Sequence, residues 1–136
     1  MSDEGMPSTE MLTSTLNAYF AAIASIDPAR IAALFAADCQ LEDPIGSGTQ
    51  QGRSGVEAYF ARGIASVASH VEIQTIVALP SGDRIAAHWK MRARGKAGQD
   101  GQAEGIDVLR LNGEGQIVRA EGYWNAKAFR QALTSK

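Results

Sequence analysis

The chain has 136 residues, 45% hydrophobic and 21% charged, with a formal net charge of -2. That length fits a single domain over residues 1–136 with a real core, and the composition excludes a disordered chain. The small net charge gives no electrostatic case for nucleic acid or an anionic membrane, and the apolar runs are too short to span a bilayer.

Residues 1–7 read as a loose tail, and Met1-Ser2-Asp3-Glu4-Gly5 lacks the charged-then-apolar pattern of a signal peptide. Leu12, Leu16, Tyr19, Ile23 and Ile26 recur at spacings of three and four, which predicts an amphipathic helix. Asp27-Pro28 then supplies a cap and a first-turn proline for a short second helix through Ile31, Leu34 and Phe35. Cys39 to Asp43 alternates as a strand, ended by the loop Pro44-Ile45-Gly46-Ser47-Gly48. Ser54-Gly55-Val56-Glu57 has the form of a capping box and predicts a third helix to about Ser69, with His70 closing it.

Beyond His70 the pattern turns to antiparallel strands. His70 to Leu79 forms one, turned by Pro80-Ser81-Gly82-Asp83. Ile85, Ala87, Trp89 and Met91 alternate with Ala86, His88, Lys90 and Arg92 in the next, the charged face being solvated or subunit-facing. A glycine-rich turn around Gly98 and Gly101 leads to the strand Ile106 to Leu111. Asn112-Gly113 signals a hairpin into Ile117 to Trp124, and Ala126 to Leu133 forms a last helix. Helices first and a strand meander afterwards argue an α+β fold, a curved sheet over the helices with an apolar interior open at one end.

Two aspartates stand on apolar strand faces. Asp43 shares its face with Cys39 and Leu41, although Asp-Pro also commonly starts a turn. Asp107 shares its face with Leu109 and Leu111, and has Arg110 on the opposite side. A carboxylate aimed into apolar surroundings is costly unless it is paired, neutral or used. Tyr19 at core spacing is either core filler or a third polar group in the same interior. Trp89 and Trp124 read as core or pocket wall. Two histidines and the lone Cys39 offer no metal-ligand spacing, and nucleophile elbows, phosphate loops and dinucleotide fingerprints are all missing. With one cysteine no internal disulfide forms, so a reducing, cytoplasmic setting is expected.

Taken together, these residues resemble bacterial ketosteroid isomerase (steroid Δ5-isomerase), of the nuclear transport factor 2-like, SnoaL-like superfamily. The resemblance runs through Tyr19-Phe20-Ala21-Ala22-Ile23, Asp27, Ile31 to Ala36 and Leu41-Glu42-Asp43-Pro44-Ile45-Gly46-Ser47. It resumes at Ile106-Asp107, Arg110, Asn112-Gly113, Gly115, Val118 and Trp124. It implies a cone-shaped fold with a curved antiparallel sheet wrapped around the N-terminal helices. It also implies a homodimer through the outer sheet, no cofactor, and a small apolar steroid-like substrate. Asp43 would be the base, Tyr19 and protonated Asp107 the donors to a dienolate oxygen, and Trp124, Phe60 and Leu109 the wall that receives the rings. Where the family backs its oxyanion tyrosine with further tyrosines, this chain has Phe35 and Phe60, and Tyr59 points about 100° away from Phe60 around its helix. Alternatives in the same fold are a polyketide cyclase or dehydratase, and a non-catalytic ligand-binding dimer.

Overall fold

The computed structural model describes residues 5–135. Most of the expected tail, residues 1–4, lies outside that range; Met6 is exposed and Pro7 is already buried. Helix α1, Thr9–Ala24, starts at Ser8, whose side chain accepts from Met11 N. It buries Leu12, Leu16, Tyr19 and Ile23 as the spacing predicts, together with Phe20 and Ala22. Ile26 falls outside the helix with φ +57, a costly conformation for a β-branched residue. Asp27 caps α2, Pro28–Ala32, by accepting from Ala29 N and Arg30 N. The second helix is shorter than expected: Phe35 opens strand β1, Phe35–Glu42, instead of closing α2.

A two-residue strand that the sequence did not signal, β2 (Gln50–Gln51), pairs with β1 and leads straight into α3, Gly52–Arg62. The expected capping box does not form. Gly52, at φ +72, turns the chain two residues earlier, so Ser54 lies inside the helix and Gln51 is the side-chain-free cap. Gly63 breaks the expected long helix, leaving only α4, Ile64–Val67. His70 is therefore not a helix end. It lies on β3, Ala68–Ser81, paired with Glu72 at the surface.

Strands β4 (Arg84–Gly95), β5 (Asp100–Leu111) and β6 (Ile117–Tyr123) follow, then α5, Ala126–Thr134. The sheet order is β2-β1-β6-β5-β4-β3. It is not antiparallel throughout, because β1 pairs parallel with β6. No hairpin links those two strands, so nothing local fixes their relative direction. Asn112-Gly113 belongs to a five-residue loop. Asn112 Oδ1 accepts from the N–H of Glu114 and Gln116, and Gly115 takes the positive φ. The curved, unclosed sheet and the N-terminal helices form the expected α+β arrangement, with the core between them. Among the described residues, no helix is long and apolar enough to cross a membrane.

Candidate active site

Strand β6 is the axis of the site. Asp107 on β5 lies directly opposite Gly122 on β6, and β1 flanks β6 on its other side with Glu42 opposite Glu121. Asp43, the residue after Glu42, therefore arrives beside Gly122 from the other edge, and Ile45 N donates to Gly122 O at 2.8 Å to hold it there. A Cβ on Gly122 would overlap Asp43 Oδ1 and lie 3.3 Å from Asp107 Oδ1. The missing side chain is the space that lets two carboxyls from non-adjacent strands meet. Outside the site, Glu42 accepts from Gly46 N and pairs with Arg119, pinning the loop that follows Asp43.

Asp43 and Asp107 are 8% and 6% exposed, the only buried charge-bearing side chains among the described residues. Each takes an indole donor. Trp124 Nε1 donates to Asp43 Oδ1 at 2.6 Å, and Trp89 Nε1 donates to Asp107 Oδ1 at 3.0 Å. The two indoles meet edge to face, 5.6 Å between ring centroids, above Gly105, where a Cβ would strike both residues. Burial pushes the Asp43 carboxyl up to about 6, with donation from Trp124 and then Tyr59 opposing the rise. Burial and then the charge on Asp43 push Asp107 well above the ordinary carboxyl range. Both shifts run upward, and an ionised Asp43 favours the neutral form of Asp107.

Tyr19 is fully buried, its ring edge-on to Phe35 and Phe60 at 5.8 and 6.4 Å. Its hydroxyl has no hydrogen-bond partner among the described residues, while burial and then the charges of Asp107 and Asp43 keep the phenol protonated. A buried hydroxyl left without a partner costs roughly 1–3 kcal/mol.

The carboxyls face a cleft with Phe20, Phe60, Met91, Trp124 and Phe129 among its apolar walls. Such a lining suits an apolar molecule. Phe60 and Trp124 stand on the wall as expected. Leu109 does not: two residues beyond Asp107, it is 0% exposed, in register with buried Ile85 and Ala120, and belongs to the core. Tyr59, which helical spacing turned away from Phe60, lines the cleft as well. The cleft is wide enough for α3 to present both faces. Trp89, which reads as core or pocket wall, lines the cleft and meets Asp107 on a diagonal across paired strands, while Gly122 has no sequence signal of its role. Among the described residues no group of three or more His, Cys, Asp or Glu could hold a metal ion.

Comparison with known proteins agrees with this geometry. The SnoaL-like domain model matches residues 16–120. The chain belongs to that family. It is 33% identical over 109 residues to a steroid Δ-isomerase of Nocardioides simplex, covering 78% of this chain and 83% of that protein. Among solved structures, the Δ5-3-ketosteroid isomerase from Mycobacterium sp. superposes with TM-score 0.74 at 22% identity, over 87% of this chain and 95% of that one. SalBIII, an epoxide hydrolase/cyclase-like enzyme with a role in pyran ring formation in salinomycin, superposes with TM-score 0.75 at 20% identity, over 94% and 97%. The two structures show the shared nuclear transport factor 2-like fold.

Proposed function

We propose that the protein is an isomerase that moves the C=C bond of a 3-oxo-Δ5 steroid, or a similar rigid apolar ketone, into conjugation. The observation that carries this reading is the Tyr19 hydroxyl, without a hydrogen-bond partner among the described residues, buried near two carboxyls, Asp43 and Asp107, that converge on Gly122. Asp43 takes a proton from the carbon between the carbonyl and the double bond and returns it two carbons further on. The electron pair left behind delocalises onto the carbonyl oxygen, where Tyr19 and neutral Asp107 donate hydrogen bonds. Electrons and protons balance within substrate and carboxylate, so the reaction draws on no cofactor. Phe60 and Trp124 hold the rings.

A homodimer fits the outer sheet surface. Val77, His88, Ile106 and Tyr123 form one row in register across β3, β4, β5 and β6. Three of them are large apolar residues 46–49% exposed, and a second copy of the chain would cover them.

The direct test offers a 3-oxo-Δ5 steroid to the purified protein and follows the conjugated enone by absorbance. No absorbance gain over the uncatalysed rate, with the steroid shown to bind, would sink the isomerase reading in favour of a binding protein. SalBIII supports a cyclase as the second reading, because a carboxylate beside a carboxylic acid also suits ring closure.

A further inference from the structure

The cleft has a buried end and an open rim, and the two differ in charge. Asp43 and Asp107 stand at the buried end. Of the residues that line the cleft, Arg130 of α5 is the one exposed to solvent and the one cation. Helical spacing puts it there: Ala126, Phe129 and Arg130 fall at i, i+3 and i+4, so one face of α5 borders the cleft. Arg130 Nη1 donates to the carbonyl of Arg62, the last residue of α3, at 3.3 Å. That carbonyl already accepts from Ser66 Oγ at 2.6 Å. The longer bond from Arg130 therefore aims the guanidinium and is not what satisfies the helix end. A guanidinium has further N–H donors, and among the described residues Arg130 has no ion-pair partner to occupy them.

We propose that Arg130 selects the substrate: the cleft takes an apolar ring ketone that carries a carboxylate at the end remote from the ketone, and the Arg130 guanidinium receives that carboxylate at the rim. The assignment rests on the isomerase reading for the ketone end only. An anionic end is kept from the buried end, where Asp43 and Asp107 add like charge to the cost of desolvation. At the rim it meets water and a planar donor fork that matches its two oxygens. Charge thus fixes which way round the rings enter. Apolar walls such as Phe60 and Phe129 discriminate weakly between the two ends of a ring system.

The test measures binding by titration calorimetry, with a 3-oxo-Δ4 steroid bearing a ring-D carboxylate side chain and with its uncharged carboxamide. The wild type should bind the acid about fivefold more tightly than the amide, the effect of a partly exposed ion pair. Arg130→Gln keeps an N–H for the Arg62 carbonyl and removes the charge. It should bind the two ligands alike, with the affinity for the amide unchanged. Lys127→Gln, an equal change of charge on an exposed neighbour outside the cleft, should keep the preference for the acid. Equal binding of acid and amide by the wild type would overturn the proposal, and so would loss of the preference in Lys127→Gln. Equal weakening of both ligands in Arg130→Gln would also overturn it, leaving Arg130 as a tie between α5 and α3. Turnover of an uncharged 3-oxo-Δ5 steroid is measured separately. Turnover without acid preference removes only the role of Arg130, and acid preference without turnover removes only the isomerase reading. Binding of neither ligand removes both.

Discussion

The indole of Trp89 donates to Asp107 Oδ1 across 3.0 Å, and that bond decides which oxygen of the acid is free. A neutral carboxyl accepts on one oxygen and donates from the other. With Oδ1 occupied as acceptor, the proton belongs on Oδ2, the oxygen left to meet an incoming carbonyl. Asp107→Asn keeps both functions, accepting on Oδ1 and donating from its amide. Asp107→Ala keeps neither. Steady-state rates on one steroid should show the asparagine variant well above the alanine variant, which should lose about 10²–10³-fold. Equal losses would mean that Asp107 serves only to anchor Trp89.

Asp43→Asn should separate activity from stability. Turnover should fall by about 10²–10⁴-fold, since an amide cannot accept the proton. Stability near neutral pH should rise. In the folded chain the Asp43 carboxyl titrates at about 6 against an ordinary 3.8, so the folded state binds the proton more tightly. Its stabilising contribution is complete below 3.8 and is lost as pH rises through 6, a difference of about 3 kcal/mol. Melting curves at acid and neutral pH should show a smaller pH penalty for the variant than for the wild type.

Tyr19→Phe removes a hydroxyl that has no partner among the described residues. The unliganded protein should lose no stability, and its melting temperature should hold or rise. Binding of a phenolic steroid, whose oxygen would lie in the dienolate's place, should weaken by about tenfold or more, as titration calorimetry would read. A variant that melts lower and binds as before would make Tyr19 a core residue.

Gly122→Ala puts a methyl group where Asp43 Oδ1 lies. Neither flanking strand can move freely, because Ile45 and Asp107 are both tied to β6. Asp43 should be displaced from Trp124, with a destabilisation of about 1–3 kcal/mol. Indole chemical shifts would report the broken bond, and isomerisation should fall with it. Intact Trp124 signals and a normal rate would show that the carboxyl tolerates another seat.

Ile106→Glu places a charge in the middle of the outer row, on the face opposite Asp107. It should convert a dimer into monomers in light scattering while leaving the fold intact. A wild-type protein that is monomeric at micromolar concentration would remove the dimer.

Strand parity carried most of what was legible beforehand. Alternation on β1 and β5 put Asp43 and Asp107 on the apolar face, and a period of two leaves few other options once the neighbours are Leu41 and Leu109. Leu109 shows the limit of that reasoning. Parity says which face a residue takes, but not how far along the strand the cleft ends and the core begins. Tyr59 escaped because a helical wheel assumes one buried face, whereas α3 borders a hollow. The early break at Gly63 had a local signal, a glycine on which helices readily end, whereas the parallel pairing of β1 with β6 is decided by tertiary contacts that no local pattern encodes.

Helix α5 has a consequence for how the protein folds. It brings Ala126, Phe129 and Arg130 to the cleft, while Leu133 sits where side chains on Gly95 and Gly101 would stand. Until α5 docks, Trp89 and Trp124 border an open apolar trough, a surface that promotes aggregation. Docking of α5 hides the trough and creates the cavity in one event. A ligand that binds only the closed form therefore acts as a folding aid, most strongly for chains whose α5 is weakened at Phe129 or Leu133.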